Sequence, residues 1–258
     1  MKSKDNIFDV GAFDGLDGLI LAIQNPNMFV HAFEANPDLI KVIIANKNKK
    51  EKYKKIKINN YKVNNYAVSD KNDNLIFNIA KNPTVSSLNE FSKNIDKTWP
   101  GYREAHCTVI KKIEVKAITL EKYCNDQEIR KINYLHIDTQ GSDLDVLRGL
   151  KNKLNIVDQG VLEATTNENT SLYENNHTIN DVKNFLQLNN FEISKIENVD
   201  KNIEKEKNIY FNKKNLNSDC KINKKYNIRY YNRLISNRLV LKDRVLDRLK
   251  DLFFVKPY

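Results

Sequence analysis

The stretch NIFDVGAFDG, residues 6–15, sets an apolar run against an acid and two glycines four residues apart. Asn6 to Val10 is short, apolar and bounded by glycine, the pattern of a buried strand. Leu16, Leu19, Ile20 and Ile23 then recur at helical spacing, which predicts a helix beginning near Gly15. A strand that passes through a glycine turn into a helix is the ligand-binding element of open α/β sheets, whose ligands sit beyond the carboxyl ends of the strands. The spacing discriminates among ligands. A dinucleotide fingerprint needs G-x-G-x-x-G, but Phe13 stands where the second glycine belongs. A phosphate loop needs Gly-Lys-Ser/Thr, which is absent, and Asp9 and Asp14 would repel a pyrophosphate. An acidic loop carrying Gly11 and Gly15 suits a nucleoside with a cationic group. S-adenosylmethionine, with its sulfonium and ammonium, is such a ligand.

Two further segments repeat the strand–turn–helix pattern. In MFVHAFEANPDLIKVIIAN (28–46), Met28 to Phe33 reads as a buried strand ending in Glu34. Asn36 suits a helix N-cap and Pro37 the first helical position, with Leu39, Ile40, Ile43 and Ile44 as the apolar face. Glu34, 23 residues after Gly11, is therefore expected to accept hydrogen bonds from ribose hydroxyls. In INYLHIDTQGSDLDVLRGL (132–150), a strand over Ile132 to Ile137 ends at Asp138 and turns at Gly141. If this strand lies beside the first, as doubly wound topology requires, Asp138 stands at the edge of the first loop. His136 shares a strand face with Asp138, so it either orients the site or is a satisfied core histidine; His31 reads as a packed strand residue.

Composition bounds the remainder. The 258 residues suffice for one large α/β domain with appendages. No apolar run approaches a membrane span and no signal-peptide pattern opens the chain, while Cys107, Cys124 and Cys220 are odd in number, so a cytoplasmic location is expected. The net charge of +10 comes largely from lysines scattered through an Asn- and Lys-rich chain, which makes nucleic acid the weaker partner reading. Strands are expected near 6–10, 29–34, 61–67, 133–138, 160–163, 191–197 and 208–211, with helices after most of the first five. Thr178 and Asp181 form a predicted capping box. The last two strands read as an antiparallel hairpin joined by a charged linker, NVDKNIEKEK, that closes a mostly parallel seven-stranded sheet; NLIFNIA (74–80) and IEVKAI (113–118) are extra strands.

The residues resemble the FkbM-type methyltransferases, a branch of the S-adenosylmethionine-dependent enzymes with a Rossmann-like α/β fold. The matching pieces are DVGAFDG (9–15), FEANP (33–37), NYAVSD (65–70), SSL (86–88), ITLEKY (118–123), IDTQGSDLDVLRG (137–149), VLEAT (161–165) and NDVKNFLQLNNFEI (180–193). They occur in the family's order and cover about residues 6–213. The resemblance implies S-adenosylmethionine as cofactor, held by Asp9, Gly11, Ala12, Phe13, Asp14, Gly15, Glu34, Ala35, Asn36, Ala67 and Asp138. It also implies methylation of a hydroxyl on a small molecule or glycan, with Gln140 on the acceptor side; the alternatives are a nucleic-acid-modifying methyltransferase and a non-catalytic cofactor-binding module. The chain departs from the family at Ala35, usually Pro, and at Glu121, usually Asp. It departs again at Gln140-Gly141-Ser142-Asp143, often Glu-Gly-x-Glu, which removes a carboxylate and argues against a metal-dependent mechanism. Many relatives carry a segment before the first strand, so part of the cofactor's cover is expected from elsewhere.

Residues 1–213 are thus expected to form the methyltransferase domain, with 81–112 as an acceptor-side insertion or lid. That insertion lacks periodicity and holds Trp99, Tyr102, Arg103 and His106, a cluster suited to a sugar or other polar acceptor. A hydroxyl acceptor must lose its proton, and Asp138 is the candidate base. The alternative role for Asp138 is to bind the methionine amine or position the acceptor. The segment 214–258 is expected to form a basic amphipathic helix, packed on its own domain, paired with a second copy, or bound to an anionic membrane surface or nucleic acid.

Overall fold

The computed structural model describes residues 5–200 and 203–215. The expected C-terminal helix of 214–258 lies outside the described residues beyond Asn215, as does Cys220. In chain order the elements are β1 (Asn6–Val10), α1 (Leu16–Gln24), β2 (Phe29–Phe33), α2 (Pro37–Lys54), β3 (Tyr61–Asn64), β4 (Ala67–Val68), β5 (Asn74–Ala80), α3 (Ile95–Thr98), β6 (Val109–Ile118) and α4 (Leu120–Asp126). They continue with β7 (Tyr134–Ile137), α5 (Asp143–Arg148), β8 (Gln159–Thr165), α6 (Ile179–Leu188), β9 (Phe191–Asp200) and β10 (Ile203–Lys213).

Seven strands form one sheet in the order β3-β2-β1-β7-β8-β10-β9. Neighbours from β3 to β8 are parallel, and β10 runs antiparallel to both β8 and β9. Every residue of β1 is buried, because helices cover both faces of the sheet. Alternation divides its side chains. Ile7 joins Val30, Ala32 and Leu19 on the α1 and α2 side, while Phe8 and Val10 join Phe33, Leu135 and Leu147 on the α4, α5 and α6 side. Asp9 consequently points to the α1 side, where Gly18 makes room; a Cβ there would lie 2.6 Å from Asp9 Oδ2.

Local signals place the helices. Asn36 Oδ1 accepts from Asp38 N at 3.0 Å, with Pro37 beginning α2. Thr178 and Asp181 form the reciprocal capping box of α6. Gly149, beyond α5, meets the Ser69 carbonyl so closely that a Cβ would sit 2.3 Å from its oxygen. This packs the NYAVSD and VLRG segments against each other.

Three expectations need correction. The strand expected over 61–67 stops at Asn64, and Ala67 begins β4, which belongs to a second sheet of order β4-β6-β5. The strand expected at 113–118 starts at Val109, inside the supposed insertion. Most of the expected charged linker is strand: β9 runs to Asp200 and β10 resumes at Ile203, with Lys207 to Lys213 paired to Asn198 through Phe191.

Candidate active site

The site lies where β1, β2 and β7 end side by side. Asp138 N donates to Val10 O at 2.9 Å, and Gly11 N and Ala12 N both donate to Phe33 O, at 3.0 and 2.9 Å. Gly11 (φ 83°) is left-handed, and a Cβ on it would lie 1.8 Å from Asp138 O. Its glycine is therefore required by the close approach of the chain leaving β7. Gly15 (φ 72°) is closed in the same manner by Ile43 and Tyr61. Asp14 Oδ1 accepts from Leu16 N at 3.0 Å, and Asn46 Nδ2 holds Asp14 O at 2.9 Å, so the loop enters α1 in one fixed path.

Glu34 follows β2 and is buried. Its Oε2 accepts from Phe13 N at 2.9 Å and its Oε1 from Asn36 N at 2.7 Å, which ties the first loop to the second. Burial pushes its carboxyl up to about 7, against the backbone N–H groups that favour the charged form. Ala35 packs beside the small sheet, and Ala67 is buried within that sheet's core. Asn36 is spent on capping α2.

Across the β1–β7 pair, His136 Nδ1 meets Asp9 Oδ1 at 2.9 Å. Burial disfavours its cation, but the hydrogen bond and charge of Asp9, with Asp17 and Asp138 nearby, outweigh this and lift it to about 9. The Asp9 contact satisfies His136 within the sheet and favours its protonated form. His31 is the packed residue expected, between Tyr123 Oη at 2.9 Å and Asn6 Oδ1 at 3.1 Å.

Asp17, in the first turn of α1, was not singled out by any motif. Burial pushes it up to about 6; His136 opposes this, and Asp9, Asp14 and Asp138 add to it. Four carboxylates therefore share one imidazolium, and buried Asp9 Oδ2 has no hydrogen-bond partner. Such a negative surplus complements a cationic ligand. Among the described residues, no group of three or more His, Cys, Asp or Glu side chains is arranged to hold a metal ion.

Half-buried Asp138 accepts from Gln140 Nε2 at 2.6 Å. Gln140 Oε1 lies 2.9 Å from Tyr173 Oη, so its amide is engaged at both ends. Asp143, fully buried, accepts from Thr139 and from Glu163 N, and burial followed by the charge of Asp138 pushes it up to about 6. The insertion is docked. Ile95, Cys107, Trp99 and Tyr102 pack with Leu172 and Tyr173, and Trp99 Nε1 donates to Thr170 O at 2.9 Å. Arg103 is exposed and bonds Tyr102 Oη, while half-buried His106 adopts φ 57° in the turn before Cys107. Of the four expected acceptor residues, Trp99 and Tyr102 thus belong to the insertion's own core.

The raised groups set a pH dependence. Asp17, Glu34, Asp143 and His136 all bind protons more tightly folded than unfolded, so their contribution is full at low pH and fades as pH rises through about 6, 7, 6 and 9. Because all four shifts have the same sign, stability of the ligand-free protein should fall from about pH 5 to about pH 8. Urea unfolding of the ligand-free protein across that range measures it. A stability that rises with pH would contradict these carboxyl environments.

The sheet order, the terminal antiparallel hairpin and the acid-lined loops at the strand ends define a Rossmann-like methyltransferase fold. The chain matches the methyltransferase FkbM domain over residues 9–193 and belongs to that family, whose cofactor is S-adenosylmethionine. Similar solved structures include methyltransferase FkbM from Methylobacillus flagellatus KT, with TM-score 0.50 and 11% identity over 81% of this chain and 43% of that one. They also include M. capricolum TrmK in complex with S-adenosylhomocysteine, with TM-score 0.44 and 12% identity over 95% and 82%. A S-adenosylmethionine-dependent methyltransferase from Aquifex aeolicus has TM-score 0.41 and 10% identity over 80% and 80%. The chain spans less than half the length of the Methylobacillus protein. Among curated proteins, none matches it. No helix among the described residues is long and apolar enough to cross a membrane.

Proposed function

We propose that this methyltransferase transfers its methyl group to a hydroxyl of a small molecule or glycan, with Asp138 as the base. The observation that carries this reading is a half-buried carboxylate at the β7 edge of the cofactor loops, held by a donating amide at 2.6 Å. When bound, S-adenosylmethionine supplies an activated methyl with its leaving group already built in. The residues of the chain have three tasks. Glu34, at the end of β2, receives the ribose hydroxyls; the acids around Asp17 attract the cationic end; and Asp138 accepts the acceptor's hydroxyl proton as the new C–O bond forms. Alignment of the two reactants is worth up to roughly 7–11 kcal/mol, so a docked insertion beside Asp138 supports the transfer as much as the base does.

The acceptor class is tested by supplying labelled S-adenosylmethionine with fractionated cell extract and locating the label by mass spectrometry. O-methyl label in the small-molecule or glycan fraction is the expected result; label confined to nucleic acid or protein overturns it.

Glu34 makes a separate prediction. Replacing it with Ala should weaken S-adenosylmethionine binding roughly tenfold to a hundredfold, since charge-assisted hydrogen bonds worth about 1.5–3 kcal/mol disappear. Because its carboxyl sits at about 7, affinity in the unsubstituted protein should strengthen from about pH 6 to about pH 8 as it ionises. Calorimetry at both pH values checks this. A Glu34→Ala protein that stays folded and binds normally would remove Glu34 from the ribose site.

A further inference from the structure

We infer that Gln140 is a positioning residue, which aims the Asp138 carboxylate and ties it through Tyr173 to the acceptor-side insertion. This rests on the reading of Asp138 as the base. Gln140 is a non-glycine residue held at φ 58°. Three contacts hold it there. Its main-chain oxygen accepts from Ser87 Oγ at 2.6 Å, and the next oxygen, of Gly141, accepts from Asn89 Nδ2 at 2.9 Å. Gly141 itself lies flat against the Tyr173 ring, where a Cβ would come within 2.8 Å.

Donor and acceptor logic fixes the amide. A carboxylate only accepts, so Asp138 Oδ1 demands the NH₂ end, at 2.6 Å. The carbonyl end then faces Tyr173, whose buried hydroxyl lies 2.9 Å from Gln140 Oε1 and 3.0 Å from Val85 O and shares its single proton between the two acceptors. Phe91 stacks on the Tyr173 ring at 5.5 Å, and Val85, Ser87, Asn89 and Phe91 all belong to the insertion. A displacement of that segment is therefore transmitted to Asp138 through Tyr173 and the Gln140 amide.

A glutamate at this position would set a second carboxylate against Asp138. Two carboxylates so close do not both ionise at neutral pH, and one midpoint rises strongly. The groups facing Asp138 are the cation of His136 on β7 and the acids Asp17 on α1 and Asp143 on α5, with the Tyr173 hydroxyl beyond Gln140.

The test is a ¹³C-NMR titration of Asp-labelled protein, with the Asp138 signal assigned by its loss in Asp138→Asn. In Gln140→Glu, the Asp138 midpoint should move upward by more than about one pH unit relative to the unsubstituted protein. Tyr173→Phe, which keeps the ring packing and frees the amide, should move it upward by less. Unchanged midpoints in both variants, with the fold intact by thermal melting, would overturn the proposal. Because the titration needs no turnover, it is separable from the base assignment. Asp138→Asn with normal turnover would sink that assignment while leaving the Gln140 contact measurable.

Discussion

Asp138→Asn is expected to lower turnover about 10²–10⁴-fold while S-adenosylmethionine affinity changes by about twofold or less. Asparagine keeps the size and still offers Oδ1 to the Gln140 amide, so the loop should hold its shape. What disappears is basicity at the atom that receives the acceptor's proton. Raising the pH should restore part of the rate, because hydroxide can take the proton instead. Single-turnover transfer and cofactor calorimetry on the same preparation separate the two effects. Near-normal turnover excludes the base role, and loss of cofactor binding reassigns Asp138 to holding the methionine end.

The second large effect is structural. Gly11→Ala should destabilise the protein by about 4 kcal/mol, combining the strain of a left-handed φ with the clash against Asp138. Its Cβ would lie 1.8 Å from the Asp138 oxygen and 2.7 Å from its carbonyl carbon, both in the main chain of β7's exit and unable to swing aside. Gly101 provides the comparison. It has φ 87° but its nearest neighbour is a flexible Glu104 oxygen at 3.9 Å, so Gly101→Ala should cost only the backbone strain, about 1–2 kcal/mol. Denaturant unfolding of both variants reads the difference. A Gly11→Ala protein with unaltered stability and lost cofactor binding would restore ligand approach as the reason for the glycine.

Much of the scaffold is local in origin and was therefore legible in the residue order. β1, the turn at Gly11 and α1 follow from a five-residue apolar run, a glycine and a 3.6-residue repeat. The Asn36-Pro37 start of α2 and the Thr178–Asp181 box are encoded within four residues. The acid ending β2 and the aspartate after β7 fall at strand ends, so their place in an open sheet follows from topology rules alone. Where polar residues alternate without an apolar face, as over 198–200 and 203–207, the local signal names a linker, and only pairing with a neighbouring strand makes it β.

The site's chemistry arose from residues far apart in the chain. Asp9 and His136, which meet across the β1–β7 pair, are 127 positions apart. Tyr173 is 33 positions from Gln140 and 88 from Val85, and no motif marks it. Asp17 looks in sequence like an ordinary first-turn acid; its shift to about 6 comes from burial beside other carboxylates. Gly11 was recognisable as necessary, but whether ligand or protein fills the space at its Cα depends on how closely β7 approaches β1. Residue order determines which elements form and which strand ends carry acids, because periodicity, capping and turn chemistry act within a few residues. Protonation, hydrogen-bond direction and the room at each glycine were decided by tertiary packing, because they depend on the dielectric and the partners that distant segments bring.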